Sequence, residues 1–378
     1  MDFTLSEEQK LLRDNAARFV QEHYGLQQRM DLSSSEMGFS VEHWRFFAEM
    51  GWLALPLPEA YGGLNGTDVD VAILMQQFGA GLVLEPYVQT VVLGGGLIAA
   101  AGSLAQQTAI LPAIGLGHVL MGCAYLERQS RFDPGDVQCT ARAFGDSYIL
   151  DGRKVGVYYG SALDKLIVTA RTAGESRDRA GITLFLVDAW EAGIERLDSA
   201  TADGQRVSDF IFSAVTVGKD AVLGPLGGGL GVLERVLDRA LCAHSAEAVG
   251  AMRRVYDTTR EYLQVRQQFG QVLAEFQVLQ HRLADLYIHT ELSQSISLAL
   301  AMRLADGHEE VPQLAALCKA KIGASGEFVG RQGVQLHGGV GMTEEYSVGH
   351  YYKRLMMIDV QYGSRDYHAR RYETLSEP

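Results

Sequence analysis

The sequence predicts a mostly α-helical fold with one inserted β domain, and three observations predict it. Apolar residues recur at helical spacing near the N-terminus (Leu11, Leu12, Ala16, Phe19, Val20) and again after Gly229. Between about Leu120 and Leu223 the period drops to 2 and β-branched residues concentrate. Gly227-Gly228-Gly229 then marks the return to helix. The expected division is an all-α part over 1–119, a β part over 120–224 and a helical bundle over 225–378. A length of 378 residues fits two or three domains at roughly 100–200 residues each.

The elements follow in order. Ser6 precedes a charged, periodic segment, and the Thr4/Glu7 pair has capping-box spacing, so a helix is expected to start there. Residues 56–66 hold too many breakers for helix or strand and read as a loop. From 86 to 126 there is no Asp, Glu, Lys or Arg, which raises the question of a membrane span. Gln89, Ser103, Gln106, Gln107 and Pro112 interrupt the run, and 91–101 is shorter than the ~20 residues a span needs; a buried helical hairpin is expected instead. In the β part, Tyr148-Ile149-Leu150, Asp151-Gly152 and 154–159 read as a hairpin turning at Asp-Gly. Segments 166–170, 182–187 and 209–217 read as further strands. Beyond Gly229, Val232, Leu233, Val236, Leu237, Ala240 and Leu241 set one stripe, and Val272, Phe276, Leu279, Leu283 and Leu286 set another. Such long helices need partners, which suits a four-helix bundle that also packs against other subunits.

Composition excludes several classes. A net charge of −13 repels phosphate backbones and anionic lipid, so neither nucleic acid nor membrane is an expected partner. Cys123, Cys139, Cys242 and Cys318 lie far apart with no CxxC pair, which argues against zinc and against a disulfide framework. The acidic N-terminus lacks the basic and apolar regions of a targeting peptide. Together these point to the cytoplasm and to no metal site.

The commonest short signatures (GxGxxG, a Walker loop, HExxH, GxSxG) are missing. Two glycine-interrupted segments stand out instead. One is Arg266-Gln267-Gln268-Phe269-Gly270, followed by Phe276-Gln277. The other is Gln335-Leu336-His337-Gly338-Gly339-Val340-Gly341. Each breaks a helix where backbone amides become available and adds a side chain suited to phosphate or a ribityl chain. Helix capping with a buried Gln is the plainer reading of either segment alone.

At these residues the sequence resembles the acyl-CoA dehydrogenase family, in order and over nearly the whole chain. The landmarks are Phe3-x-Leu5-x-Glu7-x-Gln9, Gly51 with Pro58-Glu59-x-Tyr61-Gly62-Gly63, Leu111-Pro112, and the two segments above. The resemblance implies a helical N-terminal domain, a middle β-barrel, a C-terminal four-helix bundle, FAD and a dimer of dimers. It also implies oxidation of an acyl-CoA thioester to the 2,3-enoyl form, a carboxylate taking the α-proton while hydride passes to the flavin. The cofactor contacts it implies are Arg266, Phe269, Gly270, Gln277, Gln335, Gly338 and Gly339.

The departures from the family pattern are as informative. Where members carry Thr/Ser-Glu-Pro-x-x-Gly-Ser-Asp, this chain has Leu126-Glu127-Arg128-Gln129-Ser130-Arg131-Phe132-Asp133. Where the next flavin-facing segment has an aromatic and a small hydroxyl, it has Gly156 and Tyr158. Tyr362 stands at the usual Glu position, and a phenol with an ordinary pKa near 10 is a poor base. The alternative Glu position falls on Ala240, and Asp238, two residues away on a helix, should face elsewhere.

No catalytic base is therefore assigned; Asp359 and Asp366 are the acidic candidates near Tyr362, and Asp359 has Lys353 or Arg354 as expected ion-pair partners. Intact cross-interface motifs beside an incomplete ring site resemble the noncatalytic subunit of heteromeric enzymes of the pimeloyl-CoA or steroid side-chain type. On that reading the partners are a second dehydrogenase-type subunit in an α2β2 heterotetramer, an acyl-CoA, and an electron-transferring flavoprotein. Two alternatives stay open. One is a complete homo-oligomeric flavoenzyme with a non-standard base, including Tyr362 activated by Arg365; the other is a flavin-free structural or regulatory homologue.

Overall fold

The structure, a computed structural model, describes residues 4–377. Phe3 of the first landmark lies outside the described residues. Helices α1 (Glu7–His23), α2 (Leu26–Ser34), α3 (Val41–Glu49), α4 (Asp68–Gly81), α5 (Gly96–Ala101) and α6 (Leu104–Gly115) come first. Strands β1 (Met121–Ala124), β2 (Thr140–Phe144), β3 (Ser147–Tyr158), β4 (Lys165–Arg171), β5 (Ile182–Asp188), β6 (Ile194–Ala200), β7 (Arg206–Gly218) and β8 (Val222–Leu223) follow. Helix α7 (Gly229–Val265), short strands β9 (Gln267–Gln268) and β10 (Gln271–Val272), and helices α8 (Gln277–Ala305), α9 (Val311–His337), α10 (Ser347–Val360) and α11 (Arg365–Ser376) complete the order. Two compact units form. One comprises the chain up to Asp31, Thr67–Val83 and the chain from Leu241; the other comprises Leu32–Gly66 and Leu84–Ala240.

In the second unit one sheet runs β6-β7-β3-β2-β4-β5-β8, with β1 also paired to β4. Its inner face buries Leu150, Leu166, Val168, Phe185, Phe210 and Val215. The sheet is open, which corrects the expectation of a closed barrel. Strands β2 and β4 share one residue pair, Thr140 with Arg171, so the ladder nearly ends there. At the edges, β8 is only two residues long. The other edge, β6, is mostly exposed and carries Glu195, Arg196 and Asp198, which discourages further pairing.

The expected hairpin turn at Asp151-Gly152 is also corrected. Those residues lie inside β3, where its register against β7 shifts at a bulge. The Asp151 carboxylate there accepts the Ala214 N–H at 2.8 Å, so a turn-forming pair serves the bulge instead. The turn falls one step earlier, between the paired Phe144 and Ser147.

The charge-free stretch forms a π-helical segment (Val88–Gly95) running into α5, and then α6. Buried polar groups tie it to the sheet region: Thr90 Oγ1 accepts from Met121 N at 3.1 Å, and Gln106 Nε2 donates to Asp220 O at 2.7 Å. Among the described residues no helix is long and apolar enough to cross a membrane.

In the helical unit, α1 starts with a capping box, but its members are Ser6 and Gln9 rather than Thr4 and Glu7. The second apolar stripe begins later than its spacing predicts, because the β9–β10 hairpin takes Val272 and α8 starts only at Gln277. Of that stripe only Leu286 is buried, while Val278, Tyr287, Ile288 and Leu292 of α8 are exposed. At the centre of this unit Arg354 of α10 donates through Nε to Glu247 of α7 at 2.6 Å, both side chains almost fully buried.

Candidate functional site

The first glycine-interrupted segment is a two-residue hairpin. Gln268 pairs with Gln271 and Gln267 with Val272, which leaves Phe269-Gly270 as the loop. Both residues have positive φ (58° and 83°), the combination a type I′ turn requires. For a bulky Phe this conformation costs about 1–2 kcal/mol. Its ring is nevertheless 90% exposed, with only Phe276 nearby, edge-on at 6.2 Å. Strain and exposed apolar area at one residue are jointly unfavourable in this chain alone, which makes the position a candidate binding contact. Arg266, just beyond α7, and Gln277, opening α8, are exposed alongside. A cavity of about 330 Å³ borders the same corner, lined by Tyr256, Arg260, Ala274 and Tyr287 among others.

The second segment ends α9. Gly338 has φ 63° and ψ −142°, a region essentially reserved to glycine. A Cβ at Gly338 or Gly339 would meet nothing within 4 Å, so these glycines present bare peptide to solvent rather than relieving crowding. Gln335 is exposed with them. Behind them His337 is buried between Tyr262 (4.5 Å) and Tyr346 (5.0 Å), its Nδ1 donating to Gly333 O at 2.8 Å. Burial lowers its pKa, so it stays neutral and adds no charge beside the turn. Open glycine backbone, a guanidinium and two carboxamides suit the ADP half of a dinucleotide.

The segments expected beside a flavin ring are occupied differently. Lys154 is fully buried, 2.6 Å from the buried Glu127 carboxylate and 2.8 Å from Thr169 Oγ1. Glu127 also accepts from the backbone of Gln138 and Cys139 and from Gln129 Nε2. Burial raises the Glu127 pKa, but the Lys154 charge and these hydrogen bonds outweigh it and hold the carboxyl below its ordinary value. Gly156 sits in a bulge between Lys154 and Val157 with φ 68°, and its N–H is taken by Asp209 Oδ1 at 3.0 Å. The aromatic of the family pattern is thus not merely deleted; the backbone here has a conformation an aromatic residue resists. Arg131, at the family's Gly position, has a positive φ of 52°.

Tyr362, also at positive φ (59°), lies edge-on to the buried His244 at 4.9 Å. Burial, then the charges of Arg354 and Lys319, hold the His244 imidazole well below its ordinary pKa and neutral. Ala240 is fully buried, and Asp238 is buried as well. Asp359 pairs with neither expected lysine nor arginine: Lys353 binds Glu344 and Arg354 binds Glu247, while Asp359 accepts the Arg365 N–H at 3.2 Å and faces its guanidinium at 3.7 Å. The Arg365 guanidinium binds Glu327 and Asp359, and Asp366 is exposed on α11.

Lys319, His244 and the Glu127–Lys154 pair were not singled out by sequence reasoning. Lys319 is fully buried in α9 and donates to the carbonyls of Asp359 (2.8 Å) and Gly363 (2.6 Å), clamping the loop that carries Tyr362. The signal that was available is a lysine set directly after four apolar residues of a helical run, Ala315-Ala316-Leu317-Cys318-Lys319.

The fold and these segments define a flavoprotein oxidoreductase scaffold, and comparison with known proteins places the chain within it. Residues 6–118 match the acyl-CoA dehydrogenase N-terminal domain family and 227–372 the C-terminal domain family. The chain belongs to the acyl-CoA dehydrogenase family, FAD-dependent oxidoreductases of acyl-CoA thioesters. It is 25% identical over 371 residues to the probable acyl-CoA dehydrogenase YngJ of Bacillus subtilis, covering 97% of each chain. It is 27% identical over 369 residues to the mitochondrial isovaleryl-CoA dehydrogenase of Pongo abelii, covering 96% of this chain and 87% of that one. Among solved structures it is similar to the Tcur3481–Tcur3483 steroid ACAD (TM-score 0.88, 28% identity, 98% of both chains). It is also similar to the ChsE4–ChsE5 complex from Mycobacterium tuberculosis (TM-score 0.90, 25% identity, 100% of both chains).

Proposed function

We propose that this chain is one subunit of a heteromeric acyl-CoA dehydrogenase of the pimeloyl-CoA or steroid side-chain type, in an α2β2 assembly. Arg266, Phe269, Gly270, Gln277, Gln335, Gly338 and Gly339 hold the ADP half of an FAD whose ring and proton-abstracting carboxylate belong to the partner subunit. The bound flavin supplies the hydride acceptor; this chain supplies charge, hydrogen bonds and an apolar cover for the dinucleotide. Electrons then leave to an electron-transferring flavoprotein. The observation that carries the reading is a contrast in this chain: the dinucleotide segments stand open, while the ring and base segments are filled by the chain's own side chains. Similarity to the ChsE4–ChsE5 complex adds support.

The test is to purify the chain alone and co-expressed with its candidate partner, and to measure FAD per polypeptide by absorbance together with enoyl-CoA formation. Alone it should be colourless and inactive; with the partner it should carry substoichiometric FAD and turn over. A yellow, enoyl-CoA-forming protein from this chain alone would falsify the proposal.

A further inference from the structure

The two segments assigned to the dinucleotide lie at the ends of different helices, α7 and α9, and one buried ring joins them. Gly333 sets the approach of those helices: a Cβ there would lie 2.5 Å from Val255 Cγ1, so α9 runs close against α7 at that level. Further along, α7 presents Tyr262 and α9 presents His337. Their ring centroids are 4.5 Å apart, and the Tyr262 hydroxyl donates to His337 O at 3.4 Å. Tyr346, just before α10, adds a ring 5.0 Å from His337 and 6.3 Å from Tyr262, so the three rings form one cluster.

The main chain on both sides of this cluster belongs to the segments themselves. Tyr262 O accepts the Arg266 N–H at 2.9 Å, and His337 directly precedes Gly338. His337 is 3% exposed, so it acts on a ligand only through the turn that follows it. That turn needs such support, because Gly338 carries no side chain to restrict its backbone. Segments ordered before a ligand arrives bind it more tightly without any added contact.

We infer that His337 is a positioning residue of the dinucleotide site: packed on Tyr262 and Tyr346, it locks the Gly338–Gly339 turn to the end of α7 that carries Arg266. The two segments then grip one ligand as a unit. This role rests on the assignment of those segments to FAD made above.

The test is a double-mutant cycle on the assembled enzyme, with FAD loss after dilution followed by flavin fluorescence. Arg266→Gln and His337→Ala should each speed FAD loss about tenfold, the second on the scale of two aromatic pairs. Combined, they should fall well short of the roughly hundredfold effect of independent sites, because without His337 the turn is no longer held to Arg266. His337→Phe, which keeps a ring at this position, should stay within about threefold of wild type. Where His337→Ala does not assemble, Tyr346→Leu takes its place in the cycle with the same shortfall expected, since Tyr346 is only half-buried and lies outside both segments. Unchanged FAD loss on removal of the ring, effects that multiply, or a His337→Phe enzyme as leaky as the alanine variant would each overturn the role of His337, with the effect of Arg266→Gln still upholding the FAD assignment. FAD loss unaffected by Arg266→Gln removes that assignment, and the role of His337 falls with it.

Discussion

The β9–β10 hairpin and the Gly338–Gly339 turn differ in kind from the segments around Lys154 and Tyr362. In the first pair a strained phenylalanine, an arginine and bare glycine peptide face solvent. In the second pair the charges are internal: Lys154 sits on Glu127, Asp209 takes the Gly156 N–H, and Lys319 clamps the Tyr362 loop. Folding accounts for most of the second set, since Lys154, Glu127, the Gly156 N–H and Lys319 find partners within the chain, although His244 Nδ1 and the Gln361 carboxamide beside Tyr362 are buried without a hydrogen-bond partner. It does not account for the first, where a strained residue also leaves apolar area exposed, the combination on which the proposed FAD contact rests. Arg131 and Tyr362, which replace the family pattern's Gly and Glu, both have positive φ.

The sharpest way to break this contrast is to remove the buried ammonium. Lys154→Met strands the Glu127 carboxylate and should cost about 3–5 kcal/mol by urea unfolding, most of it recovered when Glu127→Gln is added. In the unaltered protein the lowered Glu127 pKa means that its contribution is present above the ordinary Glu value and is lost as pH falls below about 4.

Lys319 gives the next effect, with a slope of the same sign in a higher pH window. Burial lowers its pKa to about 7. Between about pH 7 and 10 the unfolded chain therefore binds a proton that the folded chain has released. Stability should rise with pH across that window, by at most about 1.4 kcal/mol per pH unit, and Lys319→Met should flatten the rise. A wild-type curve already flat from pH 7 to 9 would contradict this account.

Gly156→Trp restores the aromatic of the family pattern. Although a Cβ there meets nothing, the positive φ should cost about 1–2 kcal/mol, read as a lower thermal midpoint. A stabilised variant would show that the bulge is not fixed by its surroundings.

The smallest effect on folding belongs to the open region. Arg266→Gln should leave stability within about 0.5 kcal/mol while weakening FAD retention in the complex about tenfold. A large loss of stability would mean that this arginine serves the fold and not a ligand.

Much of this was legible without coordinates. The helix–sheet–helix order follows from the change of period, and strands at 166–170, 182–187 and 209–217 fall within β4, β5 and β7. Misreadings came where a local signal has two uses: Asp151-Gly152 suits a turn or a bulge, and Val272-Phe276 fits a helical stripe or a hairpin flank. Strand β6 was invisible because Ile194-Glu195-Arg196-Leu197-Asp198 has an edge strand's polarity.

The sequence by itself determined the class of fold, the two glycine-interrupted segments and the absence of a carboxylate at position 362 or 240, because periodicity and residue identity are local properties. Tertiary structure alone decided which groups are answered from within: that Lys154 meets Glu127, that Asp359 belongs to Arg365, that His244 lies against Tyr362, and that Phe269 meets almost nothing. The physical reason is that charge compensation and burial depend on distances between residues far apart in the chain, and spacing along the sequence does not encode those distances.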